Sequence, residues 1–228
     1  MWSLEHQAGR LAAATLVAAS FLVFPSCGGE TPPSSPANDQ TQAQLDRGKY
    51  LVEIAHCYIC HSEVDWNSPG AQPVAGRQGS GGVFPDETLP FRLIVPNISP
   101  DAEAGIGAWT DQELDRAIRE GIGRDGRRLF PAMPNFSGIS DDDLAAVIAY
   151  LRSVPAVRNT LPKTEMPEPI KASLPPPNQV ARPVAAPDPS NLVARGAYMA
   201  RIGECAECHT PMTPQVLMSR WRSAAASS

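Results

Sequence analysis

The stretch Cys57-Tyr58-Ile59-Cys60-His61 decides how the rest of this chain is read. Two thiols three positions apart lie about one helical turn from each other, and the histidine that follows shares their local frame. Upstream, Leu45, Gly48, Leu51, Val52 and Ala55 recur at helical spacing, so a helix with one apolar face leads into the motif. The arrangement returns 148 positions later: Arg47-Gly48-x-Tyr50 is matched by Arg195-Gly196-x-Tyr198, Ile54 by Ile202, and the motif by Cys205-Ala206-Glu207-Cys208-His209. A single register fits every element, which marks an internal repeat of one helix plus one motif.

A C-x-x-C pair alone serves a redox disulfide or half of a zinc site, and two pairs could together make a four-cysteine zinc site. Neither accounts for the same histidine after both pairs. Thiols one turn apart can each add to one vinyl group of a single haem, with the next residue held beneath the iron. This reading makes Cys57 and Cys60 the attachment points and His61 the proximal ligand, with haem c and its iron as cofactor. A second haem would attach at Cys205 and Cys208, with His209 on its iron. The opposite ligand of the first is expected from Met133, in Phe130-Pro131-Ala132-Met133-Pro134, where flanking prolines restrict the backbone around a soft thioether. Met166 sits in a proline-rich stretch and competes poorly. His56 reads as a surface residue, since its ring leaves the helix on a different face from His61.

Residues 62–108 show no regular period, which suits a long loop wrapped around an apolar cofactor. Thr110 with Glu113 forms a capping box for a helix carrying Leu114, Ala117 and Ile118, stopped by Gly121 and Gly123. Ser140 with Asp143 reads as the N-terminal box of a further helix, with three aspartates at the positive dipole end and a stripe of Leu144, Val147, Ile148 and Leu151. Pro155 ends it, and the ten prolines between Pro155 and Ser190 read as an extended linker. Trp66 and Trp109 suit either a haem wall or ordinary core. Arg124, Arg127 and Arg128 suit either propionate pairing or a solvated basic run.

Arg10 and the apolar run Leu11 to Phe24 read as a targeting segment over residues 1–26, too short to span a bilayer. Ser26-Cys27-Gly28-Gly29 resembles the lipobox of bacterial lipoproteins, which implies a lipid anchor at Cys27. Residues 27–41, rich in Gly, Pro, Ser and Gln, read as a disordered tether. The expected organisation is thus a first module over 42–154, a linker over 155–190 and a truncated second module over 191–228. Only 19 residues follow His209, and neither Met212 nor Met218 is expected to reach the far face of its iron. A net charge of -5 and a pI near 5.4 argue against nucleic acid as a partner.

C-x-x-C-H, the late Pro-Ala-Met-Pro and the closing helix through Ala149-Tyr150-Leu151 together resemble class I cytochrome c. Asn97-Ile98-Ser99-Pro100-Asp101 and Gly105-Ile106-Gly107-x-Trp109-Thr110 resemble the multihaem cytochrome c subunits of bacterial alcohol, aldehyde and gluconate dehydrogenases. The resemblance implies an all-α fold in which the first and last helices cross, with Gly48 allowing close approach near Tyr150. It also implies Cys57, Cys60, His61 and Met133 as one haem set, and Cys205, Cys208 and His209 as the start of a second. The function it implies is electron carriage, not catalysis, on the periplasmic side of the membrane, between a dehydrogenase donor and a respiratory acceptor. The competing functions are a haem enzyme, such as a peroxidase or sulfur-compound oxidoreductase working at an open second haem, and a non-functional fragment of a larger carrier.

Overall fold

Gly48 is the point where the first long helix touches the last helix of the first copy. The computed structural model describes residues 36–70 and 72–210. The targeting segment, Cys27, most of the tether and the tail with Met212 and Met218 lie outside the described residues. Helix α1 spans Pro36–Ile54 and α4 spans Asp141–Ser153. A Cβ built on Gly48 would stand 2.0 Å from the Ala146 carbonyl oxygen and 2.7 Å from the Tyr150 Cβ, so only glycine permits this crossing. Around it Leu51, Val52, Leu144, Val147, Ile148 and Leu151 are buried in one core with Ile106, Leu114, Phe136 and Ile139. Helix α1 begins six residues earlier than its apolar pattern suggests. Residues 36–41, read as tether, are its first turns, and Pro36 suits that position because the first amides of a helix lack intrahelical partners.

Thr110 and Glu113 form the reciprocal box at the head of α3, Asp111–Asp115, with Glu113 N–H donating to Thr110 Oγ1 and Thr110 N–H to Glu113 Oε2. The chain continues into a π turn, Arg116–Glu120, before left-handed Gly121 ends it. The wider turn rotates the following side chains, so Arg119 is buried while Ala117 and Ile118 stay half-buried. The Arg119 guanidinium is paired with Asp115 and Asp141 and donates to the Ile139 carbonyl at 2.6 Å. Ser140 caps α4 through Asp143 N–H, but the expected box does not close. The Asp143 carboxylate turns to Arg47 instead, and Ser140 N–H donates to Tyr198 Oη.

The long loop is built on a small antiparallel pair, β1 (Gly82–Phe84) and β2 (Leu93–Val95), which adds a sheet to an otherwise helical fold. Gly81, at φ +70, lets the loop pass β2; a Cβ there would meet the Val95 carbonyl at 2.6 Å. Asn97 and Ser99 are buried, and together they hold Val157 at the start of the proline-rich segment.

That segment is extended, yet it is no free spacer. It runs as a strap over the first copy. Thr164 Oγ1 joins Ile94 through both backbone groups, Asn159 donates to the Ser80 carbonyl, and Arg128 donates to the carbonyls of Lys171, Leu174 and Pro175. Asn178 donates to the Arg119 carbonyl, Arg182 pairs with Asp115 and Glu120, and Val184 exchanges two hydrogen bonds with Asp141. The strap contains one short helix, α5 (Glu168–Ser173). Prolines lack amide donors, so the strap is held by polar side chains: Asn97, Ser99 and Arg128 reach its carbonyls from outside, and its own Asn159, Thr164, Asn178 and Arg182 reach back to the first copy.

Helix α6 (Leu192–Ile202) and the short α7 (Cys205–His209) follow. Helix α6 docks on the first copy. Ile202 is buried in the same core as Leu51 and Val52, with Tyr198 and Met199 packed against it. Among the described residues no helix is long and apolar enough to cross a membrane.

Candidate haem centre

The first motif begins where α1 ends. His56 takes a left-handed conformation at φ 53, turning the chain into α2, Cys57–Cys60, with His61 capping it. His56 is exposed, as its helix position suggests. The Cys57 thiol is half-buried and packed against the core, whereas Cys60 is exposed. Burial pushes the Cys57 thiol up to about 12, with the nearby Glu204 carboxylate adding to the shift. Both sulfurs are free of disulfide partners.

His61 is fixed by the long loop. Gly82 pairs with Val95, which sets Pro96 at the end of β2, and the His61 Nδ1–H donates to the Pro96 carbonyl at 2.8 Å. The His61 carbonyl in turn accepts from Gly81 N–H at 2.9 Å. Burial lowers the imidazole's pKa, while the Pro96 contact works the other way. With Nδ1 holding the proton, Nε2 keeps a free lone pair, the tautomer a metal needs. Met133 is half-buried against the same core as Cys57. Met166, more deeply buried, lies outside that cluster. Two thiols, a neutral imidazole and a thioether fit the covalent attachment and axial ligation of a haem.

The second motif repeats this backbone. Glu204, at φ 55 and ψ 30, stands where His56 stands at φ 53 and ψ 28, and α7 follows as α2 does. Its surroundings differ. His209 is exposed and, among the described residues, has no hydrogen-bond partner, so nothing there answers to the Pro96 carbonyl. Cys205 is exposed too, and Cys208 lies on the same turn of helix.

The remaining candidates have protein partners. Arg124 pairs with Glu113, Arg127 with Asp125, and Arg128 pins the strap. Trp109 packs on the core, while Trp66 is exposed and edge-on to Phe84 at 5.5 Å. Sequence reasoning missed Pro96, although its place at the end of a β-rich run was a usable signal. It also missed Arg119, whose burial depends on the π turn, and the Asp143 cluster, whose partners Arg47 and Tyr198 are remote in sequence.

The cytochrome c family model matches residues 45–155. Among curated proteins, the chain is 32% identical over 189 residues to the gluconate 2-dehydrogenase cytochrome c subunit of Pantoea cypripedii, covering 77% of this chain and 40% of that protein. The cytochrome c subunit of the quinone-type alcohol dehydrogenase of Gluconobacter oxydans is 34% identical over 188 residues, covering 77% and 37%. One subunit of the nicotinate dehydrogenase of Pseudomonas putida is 36% identical over 200 residues, covering 79% and 15%. The chain thus spans well under half the length of these relatives, and the likeness extends beyond the family segment into the strap or the stretch before α1's core positions. The motif, the His61 tautomer and these matches converge: residues 45–155 of this chain are a cytochrome c domain, which implies covalently bound haem c.

Proposed function

We propose that the chain is an electron carrier whose haem is attached at Cys57 and Cys60, with His61 and Met133 as axial ligands. Bound there, the haem supplies an iron that cycles between ferric and ferrous states. The observation that carries the reading is the 2.8 Å hydrogen bond from His61 Nδ1 to the Pro96 carbonyl, which leaves Nε2 free as a ligand on the residue that follows the two cysteines. The core shared by Cys57 and Met133 supports the thioether as the opposite ligand. A second attachment at Cys205 and Cys208, with His209, is supported by the repeated left-handed turn at Glu204. The likeness to dehydrogenase cytochrome subunits supports a dehydrogenase as electron donor. The targeting segment and Cys27 support a periplasmic, lipid-anchored location, with a respiratory acceptor downstream.

The test is haem counting on denatured protein matured in a host that assembles c-type cytochromes. Cys57→Ala with Cys60→Ala should abolish haem at the first copy, and Met133→Ala should lower its potential and admit carbon monoxide, whereas Met166→Ala should do neither. Haem that extracts fully into acidified solvent would overturn the covalent assignment.

A further inference from the structure

The second copy places an acidic residue against the first haem site. Helix α6 ends with Ile202 in the core that also contacts Ile54 and Cys57, and a Cβ built on Gly203 would lie 3.8 Å from the Ile54 carbonyl. The left-handed turn at Glu204 follows immediately. Glu204 lines a cavity of about 310 Å³ together with Pro134, Asn135 and Ser137, the residues just past Met133, and with Arg201 and Ala206 of the second copy. Glu204 therefore stands between the end of α1, which leads into the attachment motif, and the methionine loop. Arg201, the cation of the same cavity, leans across Gly138, its Nη1 2.8 Å from where a Cβ would stand.

We infer that Glu204 sets the potential of the first haem: the second copy acts on the first as a fixed negative charge that favours the ferric state. The inference rests on the assignment of that haem to Cys57 and Cys60. A carboxylate at the margin of a low-dielectric site stabilises the more positive iron and so lowers the reduction potential. Neutralising it shifts the balance toward ferrous iron. The backbone at Glu204 suits a long polar side chain no better than glycine, so charge and conformation can be separated by substitution.

The experiment is potentiometric titration of the full-length holoprotein in a Cys205→Ala/Cys208→Ala background, where one haem gives one wave. Adding Glu204→Gln should raise the ferrous-to-ferric ratio at fixed solution potential about fivefold, about 40 mV for a one-electron couple. Glu204→Gly should shift it equally while raising thermal stability, and Glu204→Asp should restore the parent potential. Glu168→Gln, on exposed α5, controls for net charge and should leave the wave in place. An unmoved wave in Glu204→Gln, or an equal shift in Glu168→Gln, would overturn the inference. Loss of all haem from the background protein would instead overturn the assignment beneath it.

Discussion

Gly48 and Gly196 hold the same place in two copies of one unit, yet a side chain at Gly48 would strike the Ala146 carbonyl at 2.0 Å and one at Gly196 would meet nothing within 4 Å. In the first copy α4 closes over the glycine face. In the second, Val193, Gly196 and Ala200 on the equivalent face are exposed, with Val193 at 84%, while Tyr198 and Ile202 are enlisted by the first copy's core. The motif's backbone nevertheless repeats, down to the left-handed residue ahead of its first cysteine. Local sequence thus specifies the attachment turn, whereas the enclosure of the histidine depends on distant partners.

The comparison breaks most sharply at the first of the two glycines. Gly48→Ala should cost about 3 kcal/mol or more, because the clash is with helix backbone and the helices must separate. Denaturant unfolding of the holoprotein measures it, and an unchanged midpoint would refute the crossing. Next comes the clasp that ties the copies together. Arg47 holds Asp143 through two 2.7 Å hydrogen bonds, and Tyr198 Oη donates to the same carboxylate at 2.6 Å. Asp143→Asn should cost about 2 kcal/mol, discounted because Arg47 is partly exposed.

The clasp also carries a pH signature. Burial pushes the Asp143 carboxyl up, but hydrogen bonds from Arg47 and Tyr198 outweigh it and hold it below the ordinary 3.8. A depressed carboxyl contributes stability that is fully present above its unfolded value and lost as pH falls through the folded one. Acid unfolding below about pH 4 should therefore be shallower in Asp143→Asn than in the parent, read by circular dichroism. Tyr198→Phe should cost about 1 kcal/mol and loosen α6 alone, seen as faster amide exchange in residues 192–202. Gly196→Ala is the smallest and opposite effect, a gain of about 0.7 kcal/mol from better helix propensity in open space.

Much of this was legible in the sequence because it is periodic or local. The stripe on α4, the Thr110–Glu113 box and the two attachment motifs follow from short-range pattern, while Gly48 beside Tyr150 was implied by the resemblance to class I cytochrome c. The strap was not legible, because its ties run from Asn97, Ser99, Arg128 and Asn178 to backbone groups and leave no apolar repeat. Arg119 was missed for another reason: the π turn changes the period on which its burial depends. The Asp143 carboxylate, expected to close its own helix, is claimed by side chains 96 and 55 positions away.

The anchoring of the strap has a quantitative consequence for α6. Counted along the sequence, the second copy hangs from the first by the whole proline-rich segment. Counted from the last anchor, where Val184 and Asp141 exchange hydrogen bonds, only residues 185–191 intervene before the helix begins. A short tether of that kind confines its end to a small volume, equivalent to a local concentration of about millimolar or more. Docking of α6 then becomes an intramolecular event, and a contact too weak to join two separate proteins is enough to keep Glu204 beside the first motif.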